Sequence, residues 1–265
     1  MKNILCSGVS TFLYICASEV LPSNMPIKVI FSLEKNSKRE FKDIDLKKKF
    51  IQDIAFFFNK TVIFENLSDQ RINNDDIVSS NLIRFLLPRL KGQRLNIFPE
   101  GVSCFNSLLK KDANERVYAK LKKYIKKVFV GHYNINKKWI LPDIENRINT
   151  IQYADSSNLI IPKDIFFNNI KKCSEYFFEK YQELEMYRLK EAIFHPLSEH
   201  IDLNHYKEWV EKFKDVVGKK KLLIKCHEND YRNFKNIFQD FNYFEIDKKF
   251  TVLPAELITC NLDVK

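Results

Sequence analysis

Short apolar runs and helically spaced apolar residues alternate along the first part of the chain. Residues 3–6 form an apolar run that predicts a strand, and residues 11–21 carry apolar side chains at helical intervals. A turn rich in serine and glycine separates them, and Ser10 is placed to cap the helix. Residues 27–31 predict a second strand. This order of strand, turn, helix and strand is the opening of a parallel α/β sheet.

The same alternation continues through the first half of the chain. Helical spacing of apolar residues predicts helices over residues 45–59 and 76–90, and short apolar runs predict strands over 61–64 and 95–98. The last of these strands runs directly into Pro99-Glu100-Gly101. Strands that keep alternating with helices indicate one doubly wound layer.

A second α/β pattern occupies the rest of the chain. An aromatic-rich helix is predicted from residue 162 to about residue 183. The elements predicted after it are strands over 192–194, 222–225 and 243–246, helices over 203–217 and 231–241, and a short helix opened by Pro254. We therefore expect two Rossmann-like α/β halves, residues 1–160 and 161–265.

Composition narrows the class of protein. The 265 residues are 45% hydrophobic and include 23 Phe and 11 Tyr, which excludes a disordered chain. With only 5 Gly, a glycine-rich phosphate loop is not expected. No run of about 20 uninterrupted apolar residues occurs, so no transmembrane helix is expected. The six cysteines lack Cys-x-x-Cys spacing and suit a reducing compartment, which favours a cytoplasmic location.

The net charge of +10 favours contact with polyanions or with anionic substrates. Part of this charge reflects a general bias of the sequence towards lysine. A basic helix over residues 118–127 is either a solvated face or a peripheral contact with anionic membrane. No recognisable nucleic-acid-binding motif is present, so nucleic acid is not an expected partner.

Candidate chemistry follows the predicted strands, because ligands of open parallel sheets bind beyond the carboxyl ends of the strands. Glu100 is placed to take a proton from an attacking hydroxyl, and Gly101 allows the chain to turn and a substrate to approach. An ordinary loop carboxylate that caps the next helix explains Glu100 equally well.

Three residues of the second half are further candidates. Lys225 and His227 follow an apolar strand and are able to donate hydrogen bonds to a nucleotide phosphate. A solvent-facing histidine is the simpler explanation of His227. Glu256 lies in a first helical turn, where a carboxylate either suits the helix dipole or accepts hydrogen bonds from ribose hydroxyls.

The histidines give no support for a metal site. His195, His200 and His205 lie near one another in sequence, but their spacing does not match a metal-binding helix of the His-Glu-x-x-His type. We therefore expect no metal.

These candidate segments, in this order, resemble those of bacterial sialyltransferases of the lipooligosaccharide and capsular α-2,8-polysialyltransferase group. Glu100-Gly101 resembles the end of their acidic-acidic-Gly motif, Lys225-Cys226-His227 resembles a Lys-x-His motif, and Pro254-Ala255-Glu256 resembles a Pro-x-Glu segment. The opening Cys6-Ser7-Gly8-Val9-Ser10-Thr11 is similar to their first strand, loop and helix.

The resemblance implies a GT-B fold, in which two Rossmann-like halves face a cleft. It implies an acceptor glycan and a base in the first half and CMP-sialic acid in the second, with inversion at the anomeric centre and no cofactor. Glu100 would then be the general base, His227 would assist departure of the CMP phosphate, and Glu256 would hold the ribose. The further donor-binding residues would be Ser10, Gly101 and Lys225.

The sequence departs from this pattern in three places. Pro99 stands where the first acid of the pair is usual, and Glu228 stands where a proline usually follows the histidine. The paired serines of the donor half do not follow Glu256, and Ser156-Ser157 comes too early to replace them. A shortened C-terminal half is therefore expected.

Two other functions are compatible with the same residues. One is a transferase that uses another nucleotide sugar for capsule or lipopolysaccharide. The other is a non-catalytic α/β protein that binds a polyanion.

Overall fold

The chain builds two parallel β-sheets, each within its own unit. The computed structural model describes residues 3–19, 25–31, 44–66, 72–79, 82, 93–98, 134–140, 158–188, 192–196, 208, 211–212, 221–226 and 242–260. Of these, the residues within 1–36 and 51–169 form the first unit, and those within 37–50 and 170–265 form the second. The assignment of acceptor and donor roles to residues 1–160 and 161–265 stays a prediction.

The first unit contains a seven-stranded sheet whose paired strands are all parallel. Its strand order is β3-β2-β1-β4-β5-β6-β7, which extends the Rossmann order by one strand. The strands are β1 (Ile4–Cys6), β2 (Ile27–Phe31), β3 (Val62–Asn66), β4 (Ile77–Ser79), β5 (Arg94–Phe98), β6 (Asn134–Ile140) and β7 (Asn158–Ile160).

Helix α1 (Val9–Ala17) follows β1, as the alternating pattern predicts. Nearly all of its side chains are buried, which explains why its sequence is apolar all round rather than on one stripe. A cluster of buried side chains forms a core of this unit and includes Leu5 of β1, Ile30 of β2 and Val78 of β4. Strands buried on both faces have continuous apolar sequences, and β1 follows this rule.

Strand β4 corrects the prediction of a helix over residues 76–90. Residues 77–79 form a strand that pairs with both β1 and β5, and all three side chains are buried. A three-residue strand is too short to show a period of two, so its apolar residues fit the helical spacing of the residues after it equally well. Residues 83–90 lie outside the described part of the chain.

A buried aspartate fixes the amino ends of β1 and β4. The Asp76 carboxylate accepts hydrogen bonds from the backbone N–H groups of Asn3 and Asn73, each at 2.8 Å. The residue is fully buried, so a backbone N–H that lost this acceptor would be costly to leave unpaired. These hydrogen bonds lie at the amino ends of the strands. Ligands of parallel sheets bind at the opposite edge, beyond the carboxyl ends.

The second unit contains a three-stranded parallel sheet in the order β10-β9-β8. Its strands are β8 (Ala192–Pro196), β9 (Lys221–Lys225) and β10 (Tyr243–Glu245), and 3₁₀ helices span Gln182–Tyr187 and Lys248–Phe250. The helix α4 (Ala255–Thr259) begins directly after Pro254, which is its N-cap. The sequence pattern predicted Pro254 as the first helical residue, whereas the first helical residue is Ala255.

Two long helices contribute residues to both units. These are α2 (Ile44–Phe57), whose residues 44–50 belong to the second unit, and α3 (Lys163–Lys180), whose residues 163–169 belong to the first. The aromatic side chains of Phe50, Phe177, Tyr181 and Phe250 form a core in the second unit. The ring of Phe50 lies 5.5 Å from that of Tyr181 and 6.1 Å from that of Phe177, between centroids.

The predicted α/β class with two Rossmann-like halves is confirmed by these sheets, and the division of the chain between residues 160 and 161 stays a prediction. Of the helix predicted over 203–217, only residues 208, 211 and 212 are described, and these are helical. The predicted helices over 118–127 and 231–241 lie outside the described residues. Within the described residues, no helix has the length and apolar character needed to cross a bilayer.

Candidate active site

The carboxyl ends of β1 and β4 mark the point where the strand order of the first sheet reverses, which is the usual ligand position in such sheets. Ser7 and Gly8 follow β1, and Ser79 ends β4. Gly8 has φ 79° and ψ 161°, a conformation that only glycine adopts without strain. A Cβ atom added to Gly8 would meet nothing within 4 Å, so the backbone conformation, and not lack of space, requires the glycine.

Ser10 does not cap α1. The N-cap residue is Gly8, no side chain caps the helix, and Ser10 is the second helical residue. The helix begins earlier than predicted because the chain enters it at Gly8, with a positive φ that a serine would adopt only with strain. A donor-binding role for Ser10, which is half-buried near this turn, stays a prediction.

Glu100 and Gly101 lie outside the described residues. The strand that precedes them, β5, ends at the fully buried Phe98, which pairs with Ser79 of β4. Strand β5 therefore ends beside the carboxyl end of β4. The role of Glu100 as a base stays a prediction.

Lys225 occupies the carboxyl end of β9, the middle strand of the second sheet. Its Nζ donates a hydrogen bond of 2.7 Å to the backbone carbonyl of Thr251, in the turn that leads from β10 to α4. The sequence predicted a contact between Lys225 and a nucleotide phosphate, and gave no signal for a partner 26 residues away. His227, two residues further on, lies outside the described residues.

A thiol and a carboxylate lie beside Lys225 at the same edge. The Cys226 Sγ donates to Glu245 Oε1 at 3.5 Å, which joins the carboxyl ends of β9 and β10. Glu245 is the last residue of β10, and no sequence pattern distinguishes it, because a glutamate at a strand end is common. The hydrogen bond from Cys226 holds the Glu245 carboxylate at the end of its strand.

Glu256 is half-buried in the first turn of α4. Ser174 on α3 donates a short hydrogen bond to the carbonyl of Leu257, so α4 is fixed to α3. Burial, and after it the negative charge of Glu256, raises the pKa of the Cys260 thiol to about 11, while Lys171 acts in the opposite direction. The negative charge of Glu256 is therefore felt by the thiol of Cys260, the C-cap residue of the same helix.

The segment after β10 is fastened to the 3₁₀ helix Gln182–Tyr187. The backbone N–H of Asp247 donates to the Tyr187 hydroxyl at 2.9 Å, and Lys249 Nζ pairs with Glu183 Oε1 at 3.0 Å. The pKa of Glu183 is lowered by its own backbone N–H and then by Lys249, and the pKa of Lys249 is raised by its hydrogen bond to Glu183. The sequence did not predict these contacts, since no local pattern indicates which residues meet across about 60 positions of the chain.

Within the described residues, no group of three or more histidine, cysteine, aspartate or glutamate side chains is arranged to hold a metal ion. The described cysteines are all reduced, and Cys173 is fully buried in α3, which raises the pKa of its thiol. Among the described residues, the carboxyl ends of β9 and β10 carry an amine on Lys225, a thiol on Cys226 and a carboxylate on Glu245.

Comparison with known proteins finds similarity in three-dimensional structure and none at the level of sequence families. No protein-family model matches the chain, and no curated protein matches it. The crystal structure of an α/β-galactoside α-2,3-sialyltransferase from the luminous marine bacterium Photobacterium phosphoreum is similar, with a TM-score of 0.51 and 12% sequence identity. The match covers 98% of this chain and 84% of that chain.

The similarity confirms the predicted fold class, an α/β protein of the GT-B type with two Rossmann-like units. In its fold the chain is sialyltransferase-like. At 12% identity the match establishes the fold and assigns no residue a role. The narrower resemblance to lipooligosaccharide and polysialyltransferase enzymes rests on the sequence segments alone.

Proposed function

We propose that the protein is a glycosyltransferase that moves a sialic acid, or a related nonulosonic acid, from its CMP-activated form to a hydroxyl of a cell-surface glycan. The observation that carries this proposal is the likeness to a sialyltransferase fold over 98% of the chain. The position of Lys225 at the carboxyl end of β9, bonded to the turn that precedes the helix of Glu256, supports it, because nucleotides bind at that edge of parallel sheets.

The proposed reaction is a direct displacement. Glu100 takes the proton of the acceptor hydroxyl, whose oxygen attacks the anomeric carbon of the donor sugar. The bond from that carbon to the phosphate oxygen breaks, and its electron pair leaves with CMP. His227 assists this departure by donating a hydrogen bond to the phosphate. Attack opposite to the leaving group inverts the anomeric centre.

The remaining proposed roles concern binding. Glu256 accepts hydrogen bonds from the ribose hydroxyls, and Ser10 and Gly101 line the path of the sugar. The carboxylate and the phosphate of the donor are both negative, so a protein of net charge +10 attracts the donor. Peripheral contact with an anionic cytoplasmic membrane through residues 118–127 would place the enzyme near its glycan acceptors. No metal or cofactor takes part in this proposal.

The first test is the thermal unfolding of the protein with millimolar nucleotides. A ligand that binds only the native state stabilises it, by about 2.7 kcal/mol at 100 times its dissociation constant. We expect CMP to raise the midpoint of unfolding, Glu256→Gln to reduce that rise, and Glu179→Gln, an exposed change on α3, to leave it unchanged.

A folded wild-type protein that CMP does not stabilise would contradict the proposed donor. Stabilisation by UDP or GDP in place of CMP would instead indicate a transferase that uses another nucleotide sugar.

A further inference from the structure

The Lys225 side chain connects two segments that both belong to the proposed donor site. Its backbone ends β9, directly before Cys226 and the segment that contains His227. Its amine bonds to the carbonyl of Thr251, three residues before Pro254, the N-cap of α4. One hydrogen bond of 2.7 Å therefore joins the strand end to the turn before α4, the helix that carries Glu256.

The same turn is held on its other side by the second 3₁₀ helix. The Thr251 hydroxyl donates to the carbonyl of Lys248 at 2.7 Å, and Asp247 is bonded to the buried Tyr187. Further along, the contact between Ser174 and Leu257 fixes α4 to α3. Between these fixed points, the Lys225 amine connects the turn to the end of β9.

Burial makes this connection difficult to replace with water. Thr251 is only 8% exposed, and a buried carbonyl that loses its donor is costly to leave unpaired. Removing the amine would therefore displace the turn rather than hydrate it, and Glu256 would move with the turn.

We infer that Lys225 is a positioning residue for the donor nucleotide: it holds the turn before α4 at the carboxyl end of β9 and so sets the place of Glu256. This inference rests on the proposed function, because it assumes that a cytidine nucleotide binds at this edge. It differs from the role that the sequence suggested, in which the Lys225 amine binds the phosphate itself.

The two roles predict different losses of affinity. A phosphate ligand matters for CMP and not for cytidine, which lacks the phosphate. A residue that positions Glu256 acts on the ribose and so matters equally for both. The ratio of the two dissociation constants therefore separates positioning from phosphate binding.

The experiment measures the affinities of CMP and cytidine by calorimetry for the wild type, Lys225→Met and Lys225→Gln. The matched control is Lys221→Met, which removes an exposed lysine at the other end of the same strand. We expect Lys225→Met to weaken both ligands by the same factor, on the order of tenfold, which corresponds to about 1.4 kcal/mol. The control should bind both ligands as the wild type does.

Lys225→Gln keeps a hydrogen-bond donor without the charge. If Lys225→Met does not fold, the glutamine variant alone distinguishes positioning from phosphate binding. Positioning predicts that its losses for CMP and cytidine are parallel and smaller than those of the methionine variant. A loss confined to CMP in either variant overturns the inference and assigns the amine to the phosphate. A folded wild type that binds neither ligand overturns the proposed function, and this inference with it.

Discussion

The hydroxyl of Thr11 illustrates how much a single buried group affects the stability of this fold. Thr11 is 1% exposed in α1, and its Oγ1 has no hydrogen-bond partner among the described residues. At the C-cap of the same helix, the equally buried Ser18 donates from Oγ to the carbonyl of Ile15 at 2.8 Å. A buried hydroxyl without a partner lowers stability, whereas a bonded one does not.

We expect Thr11→Val to stabilise the protein by about 1 kcal/mol, because it removes an unbonded hydroxyl and keeps the shape of the side chain. Helix propensity changes little, since both residues are β-branched. Urea unfolding measures the effect, with Ser18→Ala as the matched control of opposite sign. A loss of stability in Thr11→Val would show that the hydroxyl has a partner in solution.

At the same scale, the sequence identified residue types but not their partners. Lys225 was selected correctly as the last residue of a buried strand, because the apolar run before it is unambiguous. Its bond to Thr251 depends on the path of the chain after β10, which no local pattern encodes. Glu100, Gly101 and His227 lie outside the described residues, so their roles remain predictions.

Among the elements, the contact between the two 3₁₀ helices shows how short segments become ordered. Helices of this type have poor hydrogen-bond geometry and need outside support. The 3₁₀ helix Gln182–Tyr187 obtains it from Tyr187, which is 2% exposed and accepts the hydrogen bond of the Asp247 N–H. Burial is the main cause that raises the pKa of the Tyr187 hydroxyl, so the group stays neutral at physiological pH.

We expect Tyr187→Phe to destabilise the protein by about 1–2 kcal/mol, because it leaves a part-buried backbone N–H without its acceptor. Tyr176→Phe is the matched control, since its hydroxyl accepts from Lys180 Nζ in an exposed bond. The control should change stability by less than about 0.5 kcal/mol. Equal losses in the two variants would mean that the Asp247 contact contributes nothing.

The elements were predictable where they were long or strongly apolar. The strand β2 matches its predicted span of residues 27–31, and α2 differs from its predicted span by one or two residues at each end. The strand β4 was missed because three buried residues carry too little periodicity to separate strand from helix. Its neighbours β1 and β5 supply the missing information through pairing, which the sequence does not display.

For the whole molecule, the proposed function assigns proton transfer and nucleotide binding to different parts of the chain. We expect Glu100→Gln to lower the turnover of donor and acceptor by a factor of about 10²–10⁴, the usual contribution of a general base. The affinity for CMP should not change. Initial rates and calorimetry on the same sample measure the two quantities.

Glu256→Gln is the counterpart of that variant and should weaken CMP. Unchanged turnover in Glu100→Gln would remove this residue as the base. Weakened CMP binding in Glu100→Gln would mean that the carboxylate contacts the donor nucleotide.

At this scale the sequence predicted the fold class because strands and helices alternate regularly from residue 3 onwards. It did not predict that α2 is divided between the two units after Phe50, because Phe50 lies in the middle of a regular helical pattern. Membership in one unit or the other depends on long-range packing against Phe177 and Phe250, which composition and spacing do not reveal.

The placement of Phe50 constrains how the gene can be divided. Its ring is 1% exposed and completes an aromatic core whose other members come from beyond residue 170. A polypeptide of residues 161–265 produced separately would lack this ring, and one of residues 1–160 would carry it without its neighbours. We therefore expect that neither fragment folds independently, even though each fragment contains all the strands of one sheet.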